Sequence, residues 1–210
     1  MTDPMADRTI RVLVADDQSL VRGALVALLD LESDLEVVAE AGSGDEVVEV
    51  ALRARPDVAL LDIQMPGRDG IAVAAELKER LPSCRVIMCT TFARPGYLVR
   101  AMDAGAVGFI VKDVSPEDLL EAVRRVYRGL RVIDPALAAE SVMIGPNPLT
   151  AREREVLASV DRFGTISEMS AALHLTEGTI RNHLSSAIGK TAARTRAEAF
   201  RIAEGRGWLT

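Results

Sequence analysis

The chain of 210 residues lacks most of the features that would settle its setting at a glance. No apolar run approaches the roughly 20 residues that span a bilayer, so no membrane partner is expected. Residues 1–8 are polar and hold no apolar signal core, so export is not expected and a cytoplasmic location is. Only two cysteines are present, Cys84 and Cys89, both in one short apolar stretch. Two cysteines on one strand bridge poorly, which argues against a disulfide-held secreted fold and suits a reducing compartment. Only two histidines are present, His174 and His183, with no cysteine beside them, which argues against a zinc site in the C-terminal part. His174 reads instead as a helix-end residue.

Apolar residues make up 49% of the chain, enough to bury a core and to argue against wholesale disorder. Its length suits one medium domain plus one small one. The net charge of −6 is uneven. Residues 1–128 carry 15 basic and 22 acidic side chains, whereas residues 148–210 carry 9 and 7. An anionic partner therefore belongs to the C-terminal part, although an excess of two positive charges is a weak footprint for nucleic acid.

Short apolar runs at Val12–Ala15, Val37–Ala39, Val58–Leu61, Val86–Cys89 and Gly108–Val111 alternate with amphipathic helical stretches. The runs are too short for helices and too uniformly apolar for half-exposed strands, so they suit a parallel sheet covered on both faces. Ser43 with Glu46 has the form of a capping box, and Ser115 with Pro116 supplies an N-cap followed by proline. The expected fold is α/β: a doubly wound, five-stranded parallel sheet over residues 9–128. Residues 129–147, with prolines at 135 and 146 and a short helix over 136–143, read as a linker. Residues 148–210 show only helical signals. A capping box at Thr150 and Glu153 opens a helix burying Val156 and Leu157, and further helices follow over 167–173, 177–190 and 196–206.

Strand ends carry the chemistry. Asp16 and Asp17 follow the first strand, Asp62 the third, while Thr90 ends the fourth and Lys112 the fifth. A doubly wound sheet gathers such positions at its carboxyl edge. Three crowded carboxylates repel one another unless a cation sits among them, and a hard divalent ion such as Mg²⁺ with oxygen ligands fits. With Lys112 opposite, the set supports phosphoryl transfer to a carboxylate, Asp62 acting as nucleophile. Any one of these acids could instead be a helix cap, Asp17 above all. All five groups meeting at one edge by that route is a poor explanation. A phosphatase acting through an aspartyl phosphate is a weaker alternative, since such enzymes carry Asp-x-Asp on strand one.

Ala15-Asp16-Asp17, Leu61-Asp62 through Gln64, Pro66, Gly67 and Gly70, then Thr90, and Gly108-Phe109 through Lys112 resemble the motifs of response-regulator receiver domains. The resemblance implies that a sensor histidine kinase phosphorylates Asp62. It implies that Asp17, Asp62 and the Gln64 backbone carbonyl hold Mg²⁺, with Asp16 contributing directly or through water. It further implies a switch in which the Thr90 hydroxyl bonds the phosphoryl group and Phe109 turns inward, unless Phe109 is ordinary core packing. No enzymatic activity is implied beyond the receiver's own phosphoryl transfer and dephosphorylation.

In the C-terminal part, a helix ending at Leu173, a turn at 174–176 and a second helix from Glu177 have helix-turn-helix proportions. Arg181, Asn182, Ser185 and Ser186 share the polar side, and Ile180, Leu184 and Ile188 the buried one. A polar face with Arg and Asn near its start can reach base edges in the major groove, though spacing alone fits a solvated face equally well. Asn147 through Leu157 and Leu175 through Leu184 resemble the LuxR-type output domain of the NarL/FixJ family. By that likeness Arg181, Asn182 and Ser185 contact bases in promoter DNA. Thr179, His183 and Lys190 touch the DNA backbone or support the helix. The likeness also implies that the final helix dimerises and that phosphorylation of the receiver favours a homodimer. The receiver would add helices one and five, or the strand-four to helix-five face. Thr191-Ala192 stands where the family usually has Leu-Gly. The stretch from Thr90 to Tyr97 resembles the DesR branch, regulators associated with control of membrane-lipid desaturation.

Overall fold

All five apolar runs are strands: β1 (Ile10–Ala15), β2 (Leu35–Ala41), β3 (Val58–Leu61), β4 (Arg85–Thr90) and β5 (Gly108–Val111). Between them run α1 (Ser19–Asp30), α2 (Gly44–Ala54), α3 (Gly70–Arg80), α4 (Pro95–Asp103) and α5 (Pro116–Tyr127). These elements come from a computed structural model that describes residues 8–91, 95–135, 137–139 and 147–209. The chain forms two compact units. In the first, every strand pairs parallel, in the order β2-β1-β3-β4-β5-β6. β6 (Val132–Ile133) adds to the five expected strands and lies in the stretch that reads as a linker. Two residues between Gly129 and Pro135 are too few to show a period, so the edge partner beside β5 carries no sequence signal. The helix expected over 136–143 falls largely outside the described residues.

Alternation along each strand splits the sheet into two apolar faces. Val12, Val14, Val58, Leu60 and Ile87 pack with Leu29 of α1 and Leu119, Val123 and Val126 of α5. The residues between them, such as Leu13, Leu61 and Met88, are fully buried on the opposite side. Chain order reverses between β1 and β3, which opens a crevice at their carboxyl ends.

Helix starts follow the expected chemistry with two corrections. Ser115 accepts from the Asp118 amide and caps α5. Ser43 occupies the N-cap of α2, but its hydroxyl makes no cap bond. The Glu46 amide donates to the Ser43 carbonyl at 3.2 Å, and the Glu46 carboxylate turns to the Gly42 amide, so no capping box forms. Asp17 does not cap α1, whose N-cap position is Gln18.

The second unit holds four helices among its described residues: α6 (Ala151–Ala158), α7 (Ile166–Leu173), α8 (Glu177–Thr191) and α9 (Arg196–Gly205). Each opens on a threonine whose hydroxyl accepts from an amide in the first turn, and the boxes at Thr150 and Thr165 are complete. Val156, Leu157, Met169, Ile180, Leu184 and Ala199 fill the core together with Trp208. The Arg206 guanidinium lies 4.8 Å from the centre of the Trp208 ring.

Ala192 ends α8 at φ 55°, ψ 28°, a left-handed conformation in which a Cβ is crowded. Three residues earlier, Gly189 is helical and has open space where a Cβ would go. Ala192→Gly and Gly189→Ala are each expected to stabilise this unit by about 1 kcal/mol. Denaturant unfolding of the two variants and their combination checks this, and an unchanged midpoint in both counts against it.

Candidate functional site

At the carboxyl edge of the sheet the structure brings Asp16, Asp17 and Asp62 together. One ligand oxygen from each lies within 4.8 Å of the others. Asp16 and Asp62 are buried, whereas Asp17 is exposed. Lys112 enters from the end of β5, its Nζ 2.6 Å from Asp16 Oδ2 and 3.0 Å from Asp62 Oδ2. Asp62 Oδ1 accepts from the Ile63 amide at 2.7 Å, and Asp16 Oδ1 from the Gln18 amide at 3.0 Å. Asp17 makes no side-chain hydrogen bond or ion pair among the described residues.

Burial pushes the Asp62 carboxyl above its ordinary value, and the Lys112 contacts offset that only in part. Lys112 is itself disfavoured as a cation by burial, but its bonds to Asp16 and Asp62 win and raise its pKa. Three carboxylates share one ammonium, so the pocket holds an excess of negative charge in a poorly solvated place. An all-oxygen donor set with that excess fits a hard divalent cation such as Mg²⁺. Soft metals favour sulfur or imidazole, which this edge does not offer: Cys89 is buried in β4 and burial pushes its thiol up to about 12.

Thr90 ends β4 in register with Val111, and Phe109 pairs with Met88 two residues inward. Both are buried, and Phe109 is among the largest fully buried side chains, so its ring stands in the inward position here. Gln64 is exposed on the loop after β3. That loop is pinned where α3 begins. The Gly70 amide donates to the Ile63 carbonyl at 2.9 Å, and a Cβ on Gly70 would lie 1.9 Å from the Asp62 carbonyl oxygen.

In the second unit, α7 and α8 make the helix-turn-helix. His174 ends α7 at φ 53°, which assigns it a capping role. Arg181, Asn182, Ser185 and Ser186 are exposed on α8, opposite the buried Ile180, Leu184 and Ala187. Arg181 pairs with Glu177 one turn earlier at 2.7 Å. Thr179 and His183 are half-buried, and the Thr179 hydroxyl bonds that of Thr176 at 2.8 Å.

Lys190 lies at the surface, but its ammonium is turned toward α6. Its Nζ meets Glu153 of α6 at 2.7 and 2.9 Å, and the same carboxylate accepts from Ser186 Oγ at 2.6 Å. Between touching the DNA backbone and supporting the helix, this geometry favours support. In the sequence Glu153 shows only as half of a capping box, and nothing local to it signals a partner 37 residues away. Burial works against the charge of Glu153, but bonds from Lys190, Ser186 and Thr150 prevail and bring its carboxyl down to about 2.

A depressed carboxyl stabilises the fold fully above its ordinary value of 4.5, and that stabilisation is lost as pH falls toward 2. Glutamine at 153 can keep the capping box but not the ion pair. Glu153→Gln is therefore expected to cost about 1–2 kcal/mol at neutral pH. Its deficit relative to the parent should shrink between pH 4.5 and 2. Denaturation at several pH values tests both, and a pH-independent difference would contradict the ion-pair origin.

An acidic crevice on a doubly wound sheet and a helix-turn-helix in a second unit together define a two-component response regulator. Comparison with known proteins agrees. Residues 12–124 match the response regulator receiver domain, and residues 147–203 match the bacterial regulatory proteins of the luxR family. The chain is 44% identical to the transcriptional regulatory protein YvfU of Bacillus subtilis over 200 residues, covering 95% of this chain and all of that one. It is 40% identical to the transcriptional regulatory protein DesR of the same organism, again covering 95% of this chain and 99% of DesR. Among solved structures, the response regulator ChrA of a heme-sensing two-component system is 31% identical. It aligns over 96% of this chain and 99% of its own with a TM-score of 0.57. The chain belongs to the response regulators with a LuxR-type DNA-binding domain, a family of transcriptional regulators.

Proposed function

We propose that Asp62 is the phosphoacceptor of this regulator and that a sensor histidine kinase is the donor. The observation that carries this reading is the convergence of Asp16, Asp17, Asp62 and Lys112 on one crevice. A carboxylate oxygen of Asp62 forms the new P–O bond as the P–N bond of the kinase's phosphohistidine breaks. Lys112 offsets charge on the transferred phosphoryl oxygens, and the Thr90 hydroxyl bonds one of them. Asp16, Asp17, Asp62 and the Gln64 carbonyl would hold Mg²⁺, which when bound draws off negative charge from the phosphoryl group. The later hydrolysis of the phosphoaspartate is the same pocket's own reaction.

Phosphorylation favours one arrangement of a pre-existing equilibrium, with Thr90 and Phe109 as the switch pair. The favoured state is a homodimer that sets two copies of α8 on successive half-sites of promoter DNA. Arg181, Asn182 and Ser185 reach base edges, and Thr179 and His183 lie toward the DNA backbone. For the receiver's dimer surface the α1–α5 face has the better support. Leu20 and Val114 are exposed there beside an apolar depression of about 290 Å³ that Val21, Leu25 and Leu119 also line. The domain division is a receiver over 9–128 with β6 added to its sheet, a linker within 129–147, and an output domain over 148–210. Among the described residues no helix is long and apolar enough to cross a membrane, and a cytoplasmic location is part of this proposal.

Light scattering of the full chain with and without Mg²⁺, each with and without beryllofluoride, tests the reading. A monomer-to-dimer shift that requires both additions is expected. An unchanged mass in all four conditions would overturn it.

A further inference from the structure

The turn that carries Asp16 and Asp17 is tied down by a side chain with no part in the chemistry above. Arg22, one turn into α1, donates from Nη1 to the backbone carbonyl of Asp16 at 2.6 Å. Its Nε lies 3.3 Å from Glu40 Oε2 at the end of β2. The Arg22 side chain is only 22% exposed, so its bond to the Asp16 carbonyl is sheltered from water, whereas the Glu40 carboxylate is about half exposed. A charged donor on a backbone carbonyl makes one of the stronger hydrogen bonds available.

That carbonyl belongs to the peptide joining Asp16 to Asp17. The Asp16 amide donates to the Ala41 carbonyl at 3.1 Å, and its carboxylate accepts from Gln18. Asp16 is thus held on its own account. Asp17 has no side-chain partner among the described residues, so its direction depends on the backbone behind it. Arg22 holds the carbonyl of the peptide that leads into it.

We propose that Arg22 is a positioning residue for the divalent-cation pocket: it fixes the Asp16–Asp17 peptide plane and so aims Asp17 at the metal. The proposal rests on the reading of this crevice as an Mg²⁺ site. Mg²⁺ demands near-octahedral geometry, whereas Ca²⁺ accepts irregular oxygen sets. Losing the clamp should therefore weaken Mg²⁺ more than Ca²⁺. A purely structural role for Arg22 would lower stability and leave the ratio of the two affinities unchanged.

Calorimetric titration of the full chain with Mg²⁺ and with Ca²⁺ reads this directly, at a temperature where denaturation shows every variant folded. Arg22→Met is expected to raise the Mg²⁺ Kd about tenfold, the range typical of residues that orient metal ligands, and to move Ca²⁺ much less. Glu40→Gln, which spares the carbonyl bond, should leave both near the parent values. In an Asp17→Asn background, Arg22→Met should add little, because the ligand it aims is gone. Parent-like Mg²⁺ affinity in Arg22→Met, or equal weakening of both ions, would overturn the proposal. A parent protein that binds neither ion would instead overturn the reading of the pocket itself.

Discussion

An Asp62→Asn protein is expected to take up no phosphoryl group from acetyl phosphate and to bind DNA equally with and without a phosphodonor. The amide keeps the shape of the side chain and loses the nucleophile, so the loss should be complete. The same variant should also be more stable than the parent at neutral pH, by about 1 kcal/mol. Burial raises the Asp62 carboxyl. A raised carboxyl gives stability below its unfolded value and loses it as pH climbs through the folded one, so at neutral pH the ionised side chain is a burden. Removing it leaves Lys112 paired with Asp16 at 2.6 Å, so no cation is stranded. Intact-mass measurement, DNA-binding titration and denaturation check the three statements. DNA affinity that still rises with phosphodonor would count decisively against Asp62, and an unfolded variant would count against the electrostatic account.

Gly70→Val is expected to destabilise the receiver unit by about 3 kcal/mol. Even the first atom of the new side chain would lie 1.9 Å from the Asp62 carbonyl oxygen and 3.0 Å from Met88. Backbone cannot yield as a flexible side chain does, so the β3–α3 loop must move and the bond from the Gly70 amide to Ile63 must stretch. Because that loop begins at Asp62, phosphoryl uptake should fall even where the variant is still folded. Denaturant unfolding paired with acetyl-phosphate labelling checks this, and parent-like values in both would contradict it.

The site was legible because its residues sit at strand ends. A fully buried parallel strand is a short apolar run, and the first polar residue after it marks the carboxyl edge. Asp16, Asp62 and Lys112 could therefore be placed together without knowing any side-chain conformation. What escaped depends on pairings that form only when the elements pack together. Lys190 lies on the polar side of α8 by period, yet its stem bends back to Glu153, and no periodicity reports that. Arg22 reads as one charge on an amphipathic helix; its bond to a carbonyl six residues earlier exists only once α1 has docked. The misread at Ser43 has a different cause. Its residue types match a capping box, but an amide-to-carbonyl bond from Glu46 took the place of the hydroxyl.

The chain's single tryptophan, Trp208, is buried in the core of the helical unit with Arg206 against its ring. The sheet unit has none. The intrinsic fluorescence of this regulator is thus a one-sided reporter, blind to the pocket where the phosphoryl group would attach. If its emission moves when a phosphodonor is added, the colour change is news carried from one unit to the other, obtained without attaching a dye.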